Sequence, residues 1–300
     1  MKMHWNTGAA MGFGSLLAVC LAWGMPGTLC AGGKGGGSTS AKVKRPAKAV
    51  VIDHRCTGIS KIPEKWLDKA RGQLRVWYGH TSHGSQITSG MRAMNKGAFR
   101  FNNTGKDGAL CYRETGGDLG HRGDMGWKRK TIAQLDRPDN DANVVMWSWC
   151  GGCSDNTEEG IDAYLNAMNE LEKKYPDVVF IYMTGHLDGS GTEGNLNKRN
   201  NQIREYCKKH NKVLFDFADI ESYDPDGNEF LSKSANDACF YAKNGKSPRK
   251  NNWCDEWLAR HPDNDIALPS SAAHTRPLNG ALKGRAFWWM MARIAGWNGK

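Results

Sequence analysis

Four short, largely apolar runs limit what this chain can fold into: Leu74–Tyr78, Asn143–Trp149, Val178–Met183 and Val213–Phe217. They do not alternate with polar residues, which suits strands covered on both faces. Ala109–Tyr112 is a weaker candidate of the same kind. Helical patterns lie between and after them. Thr157–Tyr175 places Ile161, Tyr164, Leu165, Met168 and Leu171 on one stripe, with Asn156 or Thr157 available as a cap and Pro176 just past the end. Glu193–His210 sets Leu196, Ile203 and Tyr206 opposite a Lys/Arg face, and the stretch from about Gly280 to Ala295 carries Phe287, Trp288, Met290, Met291 and Ile294, a cluster that reads as core packing. Strand and helix in this rhythm predict an α/β fold: a doubly wound parallel sheet with helices on both faces, three layers α/β/α. Ligands of such sheets bind beyond the carboxyl ends of the strands.

The residues that follow the runs are therefore the place to look for chemistry. They read Gly79-His80-Thr81-Ser82-His83-Gly84-Ser85-Gln86, then Cys150-Gly151-Gly152-Cys153, then Thr184-Gly185-His186-Leu187-Asp188-Gly189, then Ala218-Asp219-Ile220-Glu221. Near the C-terminus Ala273-His274-Thr275-Arg276-Pro277 opens into the last helix. A serine on a strand-to-helix turn points its hydroxyl into the crevice, and its amide near the helix start can stabilise an oxyanion. A histidine must take the serine proton and hand it to the leaving alcohol. Ser82 and His274 fit those roles, with His80 and Asp188 as further catalytic candidates. Gly120, Gly151, Gly152, His83 and His186 are candidates for oxyanion or substrate contacts. No metal ligand set and no cofactor is assigned.

In the order and placement of these blocks, residues 70 to 296 resemble the SGNH (GDSL-like) hydrolases, in the branch whose first block reads G-H-x-S-x-G, here Gly79 to Gly84. The resemblance implies a flavodoxin-like sheet, an esterase activity, Ser82 in the nucleophile's place and His274 in the base's place. The chain departs from the family pattern at three points. His80 stands near the place of an Asp, Ser148-Trp149-Cys150-Gly151-Gly152 replaces a G-x-N-D block, and Ser271 stands where the family has the Asp that orients the histidine. Asp188, Asp219 or a backbone carbonyl would then have to orient the base.

The expected function is a secreted serine esterase acting on a small-molecule or carbohydrate ester. Twelve Trp include candidates for stacking on sugars. Two alternatives come from other classes: a metal-dependent hydrolase using His80, His83, His186 or His274 with Asp188, and a non-catalytic binding protein on a hydrolase scaffold. Redox chemistry through Cys150 and Cys153 is a fourth reading. Asp224-Pro225-Asp226-Gly227-Asn228-Glu229 has the composition of a calcium loop without its twelve-residue spacing, and reads as a surface turn.

Residues 1–31 have the layout of a cleaved secretory signal: Lys2, an apolar stretch from Ala9 to Trp23 too short for a membrane span, then Leu29-Cys30-Ala31. Residues 32–48 read as a flexible basic linker. Residues 49–300 then form a single domain, with an irregular insertion or lid at about 222–272. The net charge is +10, but residues 1–48 hold six Lys/Arg and no acid, so the remainder carries only +4. That balance, with no basic helix or zinc-finger spacing, gives no reason to expect nucleic acid. Of nine cysteines, seven follow the expected leader. Export would favour disulfides, and Cys239 with Cys254 is the local pairing to expect. Oligomeric state cannot be read from the sequence.

Overall fold

The computed structural model describes residues 43–244 and 249–300. The expected signal segment and linker residues 32–42 lie outside the described residues. Residues 43–48, expected within the linker, lie against the body of the domain: Val43 is buried, and Arg45 Nη2 donates to the Glu172 carbonyl at 2.7 Å.

Seven strands form one parallel sheet: β1 (Val50–Ile52), β2 (Arg75–His80), β3 (Phe101–Asn102), β4 (Leu110–Gly116), β5 (Val144–Trp147), β6 (Val179–Met183) and β7 (Val213–Phe215). Their order is β1-β7-β6-β5-β2-β4-β3. The five strands expected from the sequence are all present. The short edge strands β1 and β3, of three and two residues, were too brief to leave a pattern. Without the two edges, the chain-order sequence across the sheet is 2-1-3-4-5, the flavodoxin-like order. From β2 the chain goes first to β4 on one side and then to β5 on the other. The switch point therefore lies at the carboxyl end of β2. Strands β5 and β6 are buried at every residue, which is why their sequences read as unbroken apolar runs.

Helices α1 (Glu64–Gln73), α2 (Ser85–Ala93) and α8 (Pro277–Ile294) pack together on one face; α3 (Gly126–Leu135), α4 (Glu158–Lys174) and α5 (Asn195–Lys209) cover the other. The α4 stripe forms as expected: Ile161, Tyr164, Leu165, Met168 and Leu171 are buried, and the Thr157 hydroxyl caps the start by accepting from the Gly160 amide at 3.1 Å. The aromatic and Met cluster of α8 is core. Two glycines set how close α2 comes to α8. A β-carbon on Gly90 would meet the Gly280 carbonyl oxygen at 2.0 Å, and one on Gly284 would meet the Gly90 carbonyl carbon at 2.4 Å, so the two backbones touch.

The irregular segment after the short helix α6 (Phe217–Glu221) holds a two-stranded antiparallel pair, β8 (Phe240–Tyr241) and β9 (Asn251–Asn252), followed by α7 (Trp253–Arg260). The acidic segment 224–229 is a turn in which the Asp224 carboxylate accepts the amides of Asp226 and Asn228. Among the described residues no helix is long and apolar enough to cross a membrane.

Candidate active site

The turn between β2 and α2 sits at the switch point and is pinned from three sides. The Ser85 hydroxyl donates to the Ser82 carbonyl at 2.6 Å, the Ser85 amide to the Thr81 carbonyl at 3.1 Å, and the buried Tyr78 hydroxyl to the Gly84 carbonyl at 3.1 Å. This turn presents Ser82, half-buried, and His83, buried. His83 is the centre of the site. Its Nε2 lies 3.0 Å from Asp237 Oδ2, and its Nδ1 lies 3.4 Å from Cys150 Sγ. Ser82 Oγ is 3.9 Å from the same sulfur. The His186 ring stacks on His83 at 3.6 Å between centroids and 3° between planes, and the His274 ring stacks at 4.5 Å and 14°. Loops after β2, β5 and β6, the 222–272 insertion and the entry to α8 thus all meet on one imidazole.

The local electrostatics suit a carboxylate–imidazole–thiol relay. Burial holds the His83 ring below its ordinary value, against the opposing pull of Asp237. The ring is therefore neutral near pH 7 and able to accept a proton. Burial acts to raise Asp237, but the hydrogen bond from His83 and the neighbouring imidazoles outweigh it, and the carboxyl ends below its usual range. His186 Nδ1 is 3.0 Å from its neighbour's carbonyl oxygen at Leu187, while its buried Nε2 has no hydrogen-bond partner among the described residues.

Other residues singled out from the sequence lie elsewhere or do other work. Both nitrogens of His80 are occupied, Nε2 by Glu114 at 2.8 Å and Nδ1 by the Thr81 carbonyl at 2.9 Å. Asp188 closes its own turn by accepting the Ser190 amide at 2.8 Å and hydroxyl at 2.5 Å, and among the described residues it makes no hydrogen bond to a histidine. Asp219 binds His54 at the far edge of the sheet. The Gly120 amide is held by Asp118 Oδ1 at 2.9 Å. Gly152 is where backbones meet: a β-carbon there would lie 1.8 Å from the Gly120 carbonyl oxygen. Gly151 lies beside His121. His274 is exposed, with φ of 61°, and among the described residues no hydrogen bond joins it to Ser82.

The two cysteines of the C-x-x-C segment have separate fates. Cys150 faces His83, whereas Cys153 is fully buried against Asn200 Oδ1 at 3.4 Å, its thiol pushed up to about 12 by burial. The expected Cys239–Cys254 bridge is not formed. Both are free thiols with their sulfurs 3.3 Å apart, well beyond the ~2.05 Å of a disulfide.

Among the described residues two groups offer metal-ligand atoms within 4.8 Å of one another: His83, His186 and Asp237, and Asp53, His54 and Asp219. An imidazole lone pair lies in the ring plane. The His83 and His186 planes are stacked and nearly parallel, so one ion cannot occupy both unless a ring turns. In the second group, Asp53 is held by Arg55.

Asp237 is the residue that sequence reasoning missed. It lies in the irregular insertion, 154 residues from its partner, and no local pattern marks it. For Cys150 a signal existed, because it directly follows a buried strand at the crevice end.

No family model and no curated protein matches this chain. Among solved structures, the chain is similar to a protein from Bacteroides fragilis provisionally described as an acylhydrolase, at 10% identity and a TM-score of 0.33, over 69% of this chain and 92% of that one. A likeness of that size carries no weight for fold or function, and both rest here on the chain's own geometry.

Proposed function

We propose that this chain is an acyl-ester hydrolase in which Cys150 is the nucleophile, His83 the general base and Asp237 the group that orients and charges the imidazole. The observation that carries this is the relay itself: carboxylate to Nε2 at 3.0 Å and Nδ1 to sulfur at 3.4 Å, at the switch point of a parallel sheet. In the first half-reaction His83 takes the Cys150 proton, and sulfur attacks the ester carbonyl carbon. The oxyanion lies toward the start of α2, where the Ser82, His83 and Gly84 amides donate to no other described residue. The C–O bond then breaks, the alcohol leaves with the proton from His83, and a thioester to Cys150 remains. In the second half, His83 deprotonates a water that attacks the thioester carbon; the carboxylic acid departs and the thiol regains its proton.

The choice of an ester over other acyl compounds is supported by the resemblance to SGNH hydrolases, which also suggests an acylated carbohydrate; action outside the cytosol is suggested by the signal-like layout of residues 1–31. A panel of acetylated sugars set against p-nitrophenyl acetate tests the first of these. Cys150 is the most exposed of the seven described cysteines, so one equivalent of iodoacetamide should label it first. Activity toward p-nitrophenyl acetate is expected to fall in step with that label, and Cys150→Ala to lower kcat/KM by about 10³-fold or more. Full turnover by Cys150→Ala would sink the thiol route.

A second reading keeps Ser82 as nucleophile. It is favoured by the position of Ser82 on the strand-to-helix turn, with its hydroxyl 3.9 Å from Cys150 Sγ at the same crevice. Under that reading a serine-directed phosphonate labels Ser82, Ser82→Ala is inactive and Cys150→Ala retains turnover.

A further inference from the structure

A buried charge cluster lies behind the crevice, and the relay does not use it. Lys283 of α8 and Glu221 of α6 are both 0% exposed, with Nζ 2.5 Å from Oε1. Lys283 also donates to Gln86 Oε1, and its ammonium stands 4.0 Å from the centre of the Phe217 ring. Gln86 and Asn279 are likewise fully buried. Taking two charges out of water is costly, and an apolar pair of similar volume often serves stability as well or better. The outward bonds of the cluster point to a different role.

Glu221 Oε2 accepts the amide of Leu187, the residue after His186, at 2.7 Å. Gln86, three residues after His83, donates to the carbonyl of Ala273, the residue before His274, at 2.7 Å. Asn279 donates to the Thr275 hydroxyl at 2.8 Å, and that hydroxyl lies 3.3 Å from Cys239 Sγ, two residues from Asp237. His274 itself is in the left-handed region, which a non-glycine residue keeps only when its surroundings hold it there. Each loop that brings a ring or a carboxylate to His83 is thus tied, directly or through one neighbour, to the same four side chains.

We propose that Lys283, Glu221 and Gln86 form a positioning clamp that holds His186 and His274 against His83. The clamp rests on the proposed hydrolase reading only for its activity readout. The test uses the full chain carrying Glu221→Gln and Lys283→Met together, which removes both charges and strands neither. Two quantities are measured: the ring resonances of His83, His186 and His274 in imidazole ¹⁵N spectra, and kcat and KM for p-nitrophenyl acetate. The folded double variant is expected to show displaced His83 and His186 resonances, and a kcat lower by about 10²-fold at unchanged KM. A purely structural role would lower the melting temperature and leave both readouts in place. A folded double variant whose three ring resonances match the wild type overturns the clamp, whatever its activity. If the double variant does not fold, Gln86→Leu replaces it: a displaced His274 resonance supports the clamp and an unmoved one overturns it. A wild-type chain with no ester turnover, whose resonances still move in the variant, defeats the hydrolase reading and leaves the clamp standing.

Discussion

The crevice at the end of β2 and the sheet edge at the ends of β1 and β7 each hold a histidine hydrogen-bonded to a carboxylate, yet they are built for different ends. At the edge, His54 Nδ1 meets Asp219 Oδ1 at 2.6 Å, the His54 amide meets the same oxygen at 2.9 Å, and the Tyr223 ring covers the imidazole at 3.6 Å. Neighbouring charges are matched there too: Arg204 grips Asp216 with two bonds of 2.7 and 2.8 Å, and Arg55 grips Asp53. The result fastens β1 to the start of α6. In the crevice, the second nitrogen of His83 faces a thiol, a weak partner, and the buried His186 Nε2 has no partner at all among the described residues. At the edge the carboxylates are all matched by cations or donors, whereas in the crevice the imidazole that meets the carboxylate also meets a thiol. A His–carboxylate pair is therefore not a site by itself. It becomes a candidate when a nucleophile stands on its other side and the topology opens a crevice around it.

Three measurements can break or sharpen that contrast. The largest effect is expected from Asp237→Asn, which keeps the shape but removes the charge that orients His83. It should lower kcat/KM for p-nitrophenyl acetate by about 10²- to 10⁴-fold with little change in melting temperature. An equal loss from a change at the β1/β7 edge would erase the distinction. A smaller effect is expected from pH. Burial lowers His83 in the folded chain, so the unfolded chain, whose ring protonates near 6.5, binds more protons in the window just below that value. The contribution of His83 to stability should be complete above about pH 6.5 and fall away as pH drops below it. The acid limb of kcat/KM should likewise lie below about 6.5. A limb above that value would mean that His83 is not the base. The smallest effect belongs to His54→Phe, which keeps the ring stack with Tyr223 and removes the side-chain hydrogen bond to Asp219. It should cost about 1 kcal/mol in denaturant unfolding and leave ester turnover unchanged.

The sequence determined the sheet and the address of the site. Runs such as Val144–Trp147 and Val179–Met183 are apolar throughout because both of their faces are covered, and that pattern survives in one dimension. Ser82 and His83 were legible because a strand end followed by Gly, Ser and His marks a turn at the crevice. Nothing in the sequence sets Lys283 apart from Arg285 and Arg293 of the same helix, or names Glu221 as its partner. What only the tertiary structure decided is which groups meet. Asp237 comes from an irregular segment with no periodicity, Cys150 turns toward His83 while Cys153 turns into the core, and His274 joins by stacking and makes no hydrogen bond to Ser82. Local patterns encode burial and backbone conformation, which depend on near neighbours. A relay depends on side chains brought within about 3 Å from distant parts of the chain, and only the folded packing fixes those distances.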